Sequence, residues 1–399
     1  MHQAVIEKEG MFFMIDHRSY LSRRTFVAGG ALALASIGFG GTLFGCAPDA
    51  TTSSATEDVA RDASTISVNK DAVEDLVVAT LGKDIKIACI VIAAHEGFYE
   101  EEKLNVTFET VANLSDGITA VSQNKLDVLP FGIIPTCTFV GQGTENLVVF
   151  GGTIAQGSEC VTLPENEKKY VFTADFKDTK IAYFPMETGH LVMQGLLDDI
   201  GMYNPDNWII MSGQQAIIEA VRNGECDCGF LNSGQGYVAK QSGLVTSMHV
   251  GDLKPDFPCC RQSTSTECLR DKTSALVKFE IANLRAYDVF RTDKERAIKA
   301  LAAHSGQPET YVENVMYGTD EYTTPMIMEM DPYTDAVCAF YEVMKQTENI
   351  DPATPYRMED HVDSTVYKAA LDEMIARGEN SALYAELLKV YDAHNTIGK

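Results

Sequence analysis

Basic residues are scarce in this chain. Lysine and arginine total 32 against 57 aspartates and glutamates, and the net charge is −25 at pH 7. With no dense Lys/Arg run, such a chain repels phosphate backbones, so nucleic-acid binding is not expected. Cysteine is sparse too, at ten in 399 residues, far below the density of a disulfide-built scaffold. No long apolar run follows residue 45, so the remainder is expected to fold in water. Enzyme signatures are equally thin. The sequence has no G-x-S-x-G nucleophile elbow and no H-E-x-x-H helix. Gly234-Gln235-Gly236 followed by Ala239 has the spacing of a dinucleotide loop but not the helix and acidic partner that loop needs. Cys226-Asp227-Cys228 offers two close thiols, which alone make no metal site. No catalytic residue, cofactor or metal is expected.

What is present begins with an address. Residues 22–26 read Ser-Arg-Arg-Thr-Phe, an almost uncharged apolar run fills 26–44, and Leu43-Phe44-Gly45-Cys46 follows. The arginine pair resembles a twin-arginine export signal. The last four residues resemble a bacterial lipoprotein cleavage box, with Cys46 as the lipidated residue. A lipid there would hold a soluble body at the membrane without a protein span. An uncleaved helix or a non-lipid signal are the alternatives, and five glycines in the run disfavour the helix. Residues 46–83 are expected as an acidic flexible tether, most clearly over 47–65, where small polar and acidic residues dominate.

From residue 84 short apolar runs alternate with helical patterns. Strands are expected at 85–92, 105–111, 126–131 and 146–150, with helices at 96–103 and 115–124. A second pass gives strands at 179–184, 207–211 and 226–231 and helices at 190–200 and 214–223. Such alternation predicts an α/β fold with parallel sheets covered by helices. The passes correspond: Lys86-Ile87-Ala88 with Lys180-Ile181-Ala182, Ala120-Val121 with Ala220-Val221, Asp127 with Asp227. Two lobes with a central cleft are the economical architecture, and ligands of open α/β sheets sit beyond the carboxyl ends of the strands. Beyond about residue 268 the pattern is helical, with helices expected at 268–290, 294–305, 332–346, 365–376 and 381–394. The expected division is a signal at 1–45, a tether at 46–83, lobe one at 84–176 and 260–399, and lobe two at 177–259.

His95-Glu96-Gly97-Phe98-Tyr99-Glu100 followed by Leu104-Asn105-Val106 resembles the opening of a solute-binding family. That family serves ATP-driven importers of nitrate, sulfonates, taurine and thiamine-pyrimidine precursors. Asn124-Lys125-Leu126-Asp127-Val128, Gly151-Gly152, the run from Asp175 to Ala182, and Asn223-Gly224-Glu225-Cys226-Asp227 are similar to its later motifs, in its order. Asn124 and Thr179 stand where the family often has glycine. The resemblance covers about residues 84–310. It implies a type II periplasmic binding protein, monomeric, that closes two lobes over a small solute. Its implied partners are an ABC permease and ATPase, with the membrane reached through the lipid. A surface sensor without a transporter, or a pyrimidine-synthase-like enzyme on the same fold, are the competing readings.

The strand-end loops nominate the ligand contacts: His95, Asn113, Ser115, Gly132, Gly152, Thr153 and Ser158 in the first half, and Glu187, Thr188, Gly189, His190, Asn232 and Ser233 in the second. Glu187-Thr188-Gly189-His190 opens a helix straight after a strand. Its backbone N–H groups can receive an anion or a carbonyl oxygen, with Thr188 as an ordinary helix cap the plainer role; Ser115 likewise reads first as a cap. His95 and His190 fall at corresponding junctions and are expected to face each other across the cleft. Glu96, Glu159 and Glu187, if turned inward, favour a neutral or cationic solute. Cys259-Cys260 and Cys268 lie near the return crossing as a disulfide or as buried thiols.

Overall fold

The computed structural model describes residues 62–398; Cys46, the signal segment and the first part of the tether lie outside them. Strand β1 (Glu74–Thr80) opens the core, with Leu76, Val78 and Ala79 fully buried. This corrects the tether, which was drawn to residue 83. The acidic composition ends well before Leu76-Val77-Val78, and Ile66 and Val68 already pack on the core.

Helix α1 (Ala88–Glu96) occupies the stretch expected as a strand at 85–92. Ala88 to Ala93 are all buried. A helix that is apolar all round shows no 3.6-residue period, so its sequence reads like that of a buried strand. It ends at Gly97, whose φ of 75° makes a left-handed cap. The Gly97-Phe98-Tyr99 motif is therefore a helix stop followed by two buried aromatic rings.

The chain continues through β2 (Leu104–Thr110), α2 (Leu114–Ser122) and β3 (Leu147–Ala155). It crosses at Gln156-Gly157 into β4 (Ser158–Thr162), β5 (Ile181–Tyr183), α3 (Thr188–Asp199) and β6 (Trp208–Ile210). Next come α4 (Gln214–Arg222), β7 (Cys228–Asn232), α5 (Gln235–Gln241) and β8 (Val245–His249). The return leads into β9 (Pro258–Ser265), then α6 (Thr273–Thr292), α7 (Lys294–Ser305), α8 (Glu309–Tyr317) and β10 (Ile327–Met328). Helices α9 (Thr334–Gln346), α10 (Thr365–Arg377) and α11 (Ser381–His394) complete it.

Two sheets result. The first is assembled from the parallel pair β1-β2 and the antiparallel ladder β10-β3-β9. The second has the order β6-β5-β7-β4-β8, parallel at β6-β5-β7 and antiparallel around β4. Residues 126–131, expected as a strand, supply only bridges, Val78 to Val128 and Leu129 to Ser263, and these stitch the two parts together. Strand β4 belongs to the second sheet although it precedes the expected boundary at 176/177. The two crossings lie side by side: the Gln156 N–H donates to Phe257 O at 3.0 Å.

The internal repeat holds at the level of hydrogen bonds. Asp127 Oδ2 accepts from the Val77 N–H, and Asp227 Oδ2 from the Lys180 N–H, both at 2.8 Å. Asn124 and Gly224 take the same left-handed turn, with φ of 54° and 74°, a conformation that asparagine tolerates. That explains the departure at Asn124. The match of Lys86 with Lys180 does not hold, because Lys86 precedes a helix and Lys180 a strand; the equivalent of Lys180 is Val77.

Candidate functional site

Polar groups converge where the crossings meet the N-terminus of α3. Glu187 caps that helix: its carboxylate, fully buried, accepts from Gly189 N at 2.7 Å and His190 N at 2.8 Å. The cap is thus Glu187, and not Thr188. It also occupies the helix N-terminus with the protein's own negative charge, which removes the expected anion seat. The hydroxyls of Thr188 and Ser233 are buried nearby, each without a geometric hydrogen-bond partner.

Close backbone approach holds this centre together. A Cβ on Gly157 would stand 2.0 Å from Ser233 Oγ and 3.3 Å from Cys259 Sγ. One on Gly189 would stand 2.1 Å from Ser158 Cβ. Ser158, buried, donates to Leu231 O at 3.3 Å. From the other sheet comes Lys86, in the loop between β1 and α1, 3.7 Å from Asp84. Burial opposes its charge, yet Asp84, Cys260, Cys259 and Glu187 outweigh burial and raise its pKa. Cys259 and Cys260 complete the group, their sulfurs 3.8 Å apart.

A second inter-sheet contact lies at Glu159 of β4. Its Oε1 accepts from Thr324 Oγ1 at 2.9 Å and from the Tyr322 hydroxyl, and its Oε2 from Gly236 N at 2.5 Å. Burial pushes this carboxyl up to about 8, against those hydrogen bonds. Tyr237 packs edge-on against Tyr311 and Tyr322. The glycine spacing at 234–236 is thereby explained. Gly234 turns with φ of 80°, and a Cβ on Gly236 would lie 2.2 Å from Glu159.

The remaining nominated residues scatter. His95 sits on the last turn of α1, half exposed and paired with Glu96 at 3.2 Å, while Glu96 also binds Arg296. His190 is buried against Tyr183, ring centroids 4.6 Å apart. The two histidines do not face each other, because the run before His95 is a helix and His95 marks no strand end. Asn113 caps α2, accepting from Asp116 N at 2.9 Å, so the exposed Ser115 is not the cap. Gly152 has no open side: a Cβ there would lie 2.4 Å from the carbonyls of Glu329 and Asp331. Thr153 is buried and bonds Cys260 O at 3.4 Å. Gly132 bridges to Cys260, and the Asn232 N–H donates to Gln214 Oε1 at 2.9 Å. Lys86, Tyr311 and Tyr322 were not nominated. Lys86 was hidden by the strand expected over it, and the tyrosines carry no local signal.

Among the described residues no group of three or more metal-ligating side chains forms, no helix is long and apolar enough to cross a membrane, and all nine cysteines are free and buried.

Comparisons with known proteins fit this architecture. No curated protein matches the sequence. Solved structures do. The nitrate-binding protein NrtA of Synechocystis superposes with a TM-score of 0.60 at 12% identity, covering 76% of this chain and 89% of that one. The ligand-binding component of an ABC-type import system from Staphylococcus aureus gives 0.57 at 14%, covering 75% and 98%. The aliphatic sulphonate-binding protein SsuA of Escherichia coli gives 0.56 at 15%, covering 71% and 94%. At such identities the likeness establishes the fold, that of a type II periplasmic binding protein. The NMT1/THI5-like family profile matches residues 84–297, more than half of the sequence, and the chain belongs to that family.

Proposed function

We propose that this protein is a non-catalytic, extracytoplasmic receptor. It captures a small organic solute between its lobes and delivers it to an ABC permease and ATPase. On this reading lobe one is 62–155 and 258–398, lobe two is 158–253, and the twin-arginine signal ends before a lipidated Cys46. The observation that carries the reading is the polar centre beside the paired crossings. There Ser233 holds an unpartnered buried hydroxyl, and Thr188 one that meets only the Cys259 thiol, next to Lys86 and Glu187. Buried polar groups without partners are costly, and a solute's donors and acceptors would satisfy them. Two adjacent crossings allow the lobes to hinge.

The charge at the centre sets the solute class. Lys86 is countered by Asp84, and Glu187 takes the helix N-terminus. A neutral or cationic nitrogen compound fits, and a strong anion does not. Native mass spectrometry of the gently purified protein tests capture directly. A discrete excess mass that denaturation removes is expected. A bare mass, followed by no thermal shift across neutral amides, amines and heterocycles, would sink the receptor reading. At 100 times its dissociation constant a ligand adds ~2.7 kcal/mol. Larger shifts from nitrate and sulfonates would sink the charge reading alone.

A further inference from the structure

Seven described residues other than glycine take the left-handed backbone conformation, and three of them stand at links between the lobes. Gln156, with φ of 54°, lies in the first crossing, and Asp256, with φ of 61°, in the second. Tyr333, with φ of 51°, heads α9. That helix belongs to lobe one and packs on α3 of lobe two. A Cβ on Gly195 would stand 2.9 Å from Val343, and Gln346 Nε2 donates to Asp198 at 2.8 Å. The three positions are tied together. Gln156 Nε2 donates to Asp256 Oδ1 at 3.4 Å. Arg261, buried in the strand that the second crossing enters, donates to Ile154 O at 2.9 Å and lies 5.2 Å over the Tyr333 ring.

A Cβ at positive φ crowds a neighbouring carbonyl oxygen, a cost that aspartate tolerates best and a bulky side chain least. Such a conformation persists only where the surroundings impose it. The contacts that impose it here are those made with the lobes together. Gly157 meets Ser233, Gly195 meets Val343, and Tyr322 and Thr324 reach Glu159. The same arrangement leaves the Ser233 hydroxyl buried and unpartnered.

We propose that the crossings are a strained hinge that holds the empty protein open. Closing the lobes drives Gln156 and Asp256 into the left-handed region, and opening lets both relax to extended backbone. Solute contacts at Ser233 and around it then offset the strain of closure. Closure thereby becomes conditional on capture, which suits a receptor that presents only its loaded shape to an importer. Gln156 and Asp256 act through the backbone, away from the solute, and are positioning residues. This hinge rests on the receptor reading above, but it is measured without any solute.

Spin labels report the lobe separation by pulsed electron resonance. Ala112 and Ser212 are exposed at corresponding strand-end loops of the two lobes, and all the described cysteines are buried. The labelled full chain carries Ala112→Cys, Ser212→Cys and Cys46→Ala. Stripped of solute in urea and refolded, it is expected to show mainly the longer of two distances. Gln156→Gly and Gln156→Ala remove the same side chain and differ only in the cost of positive φ. The ratio of short to long distances should be about fivefold higher with glycine than with alanine, and the same pair at Asp256 should behave alike. Lys103, left-handed in the turn that leads into β2, is the control. Lys103→Gly and Lys103→Ala should give equal ratios. Equal ratios within both crossing pairs, or a difference as large at Lys103, would overturn the proposal. So would a single short distance in the chain without hinge variants, a result that does not depend on how those variants fold. Failure to capture any solute in native mass spectrometry would instead sink the receptor reading and leave these distances as they are.

Discussion

The carboxylate of Glu187 sits where a bound anion would have to sit. It takes two of the N–H groups that the first turn of α3 leaves free, and its own charge repels a second one. Glu187→Ala separates these effects. Loss of the cap should lower the denaturant-derived stability by ~0.5–2 kcal/mol. The freed N–H groups should also give nitrate or methanesulfonate a thermal shift that the parent protein lacks. A variant that loses stability but gains no anion response would show that Lys86 and Asp84, not Glu187, set the charge preference. The turn itself was legible in the sequence, because a strand runs directly into a helix there. The choice between Glu187 and Thr188 was not, since cap preferences favour threonine and only the fold decides which side chain turns back. His95 failed for a different reason. Its position rested on a strand that is in fact a helix, so an error over eight residues moved a nominated ligand from the cleft to the surface of lobe one.

Elements with a period were readable and elements without one were not. Helices α4 and α7 and the terminal α11 fall within a residue of expectation because their apolar stripes repeat along a polar surface. Strand β9 escaped notice. It is buried along its whole length yet includes Arg261, Gln262, Ser263 and Thr264, and a buried strand that polar has no hydropathy signature. The repeat was the strongest long-range signal, and it makes a comparison possible. Asp127 and Asp227 accept equivalent backbone hydrogen bonds, but Asp127 is buried and also holds Lys272 at 2.7 Å, while Asp227 is exposed. Asp127→Ala should therefore cost about 1.5–3 kcal/mol and Asp227→Ala roughly half of that or less. Urea midpoints of the two variants check the order, and an equal loss would mean that burial does not distinguish the two turns.

Across the whole molecule, buried carboxyls make stability depend on pH. Glu280 of α6 is buried with Gln262 and Asn283 beside it, and burial pushes it up to about 8, as it does Glu159. Unfolded, both return to an ordinary value of 4.5. A folded-state pKa above the unfolded one gives stability that is complete below about 4.5 and is lost as pH rises through 8. The melting temperature should therefore fall from pH 6 to pH 9. Glu280→Gln should flatten that fall, raising the melting temperature at pH 6 and more so at pH 9, and leave the value near pH 4.5 nearly unchanged. A level or rising profile in the parent would contradict the burial argument.

Glu159 has a second role at this scale, because its partners come from the other side of the cleft. Tyr322 and Thr324 belong to the segment that leads into β10 on the first sheet, and they reach a carboxyl on the second. Lys240 of α5 also bonds to the Glu321 carbonyl. The strap thus ties the lobes together at a point separate from the crossings. Tyr322→Phe keeps the ring packing against Tyr237 and removes one donor, which should weaken the tie by about 1–3 kcal/mol. The loss should appear locally. Hydrogen exchange of the Gly236 amide, which Glu159 holds, should accelerate, while amides of β1 in the first sheet keep their parent rates. Acceleration in both sheets would mean that the tyrosine supports the fold as a whole, and no acceleration would mean that Thr324 alone suffices to hold the strap.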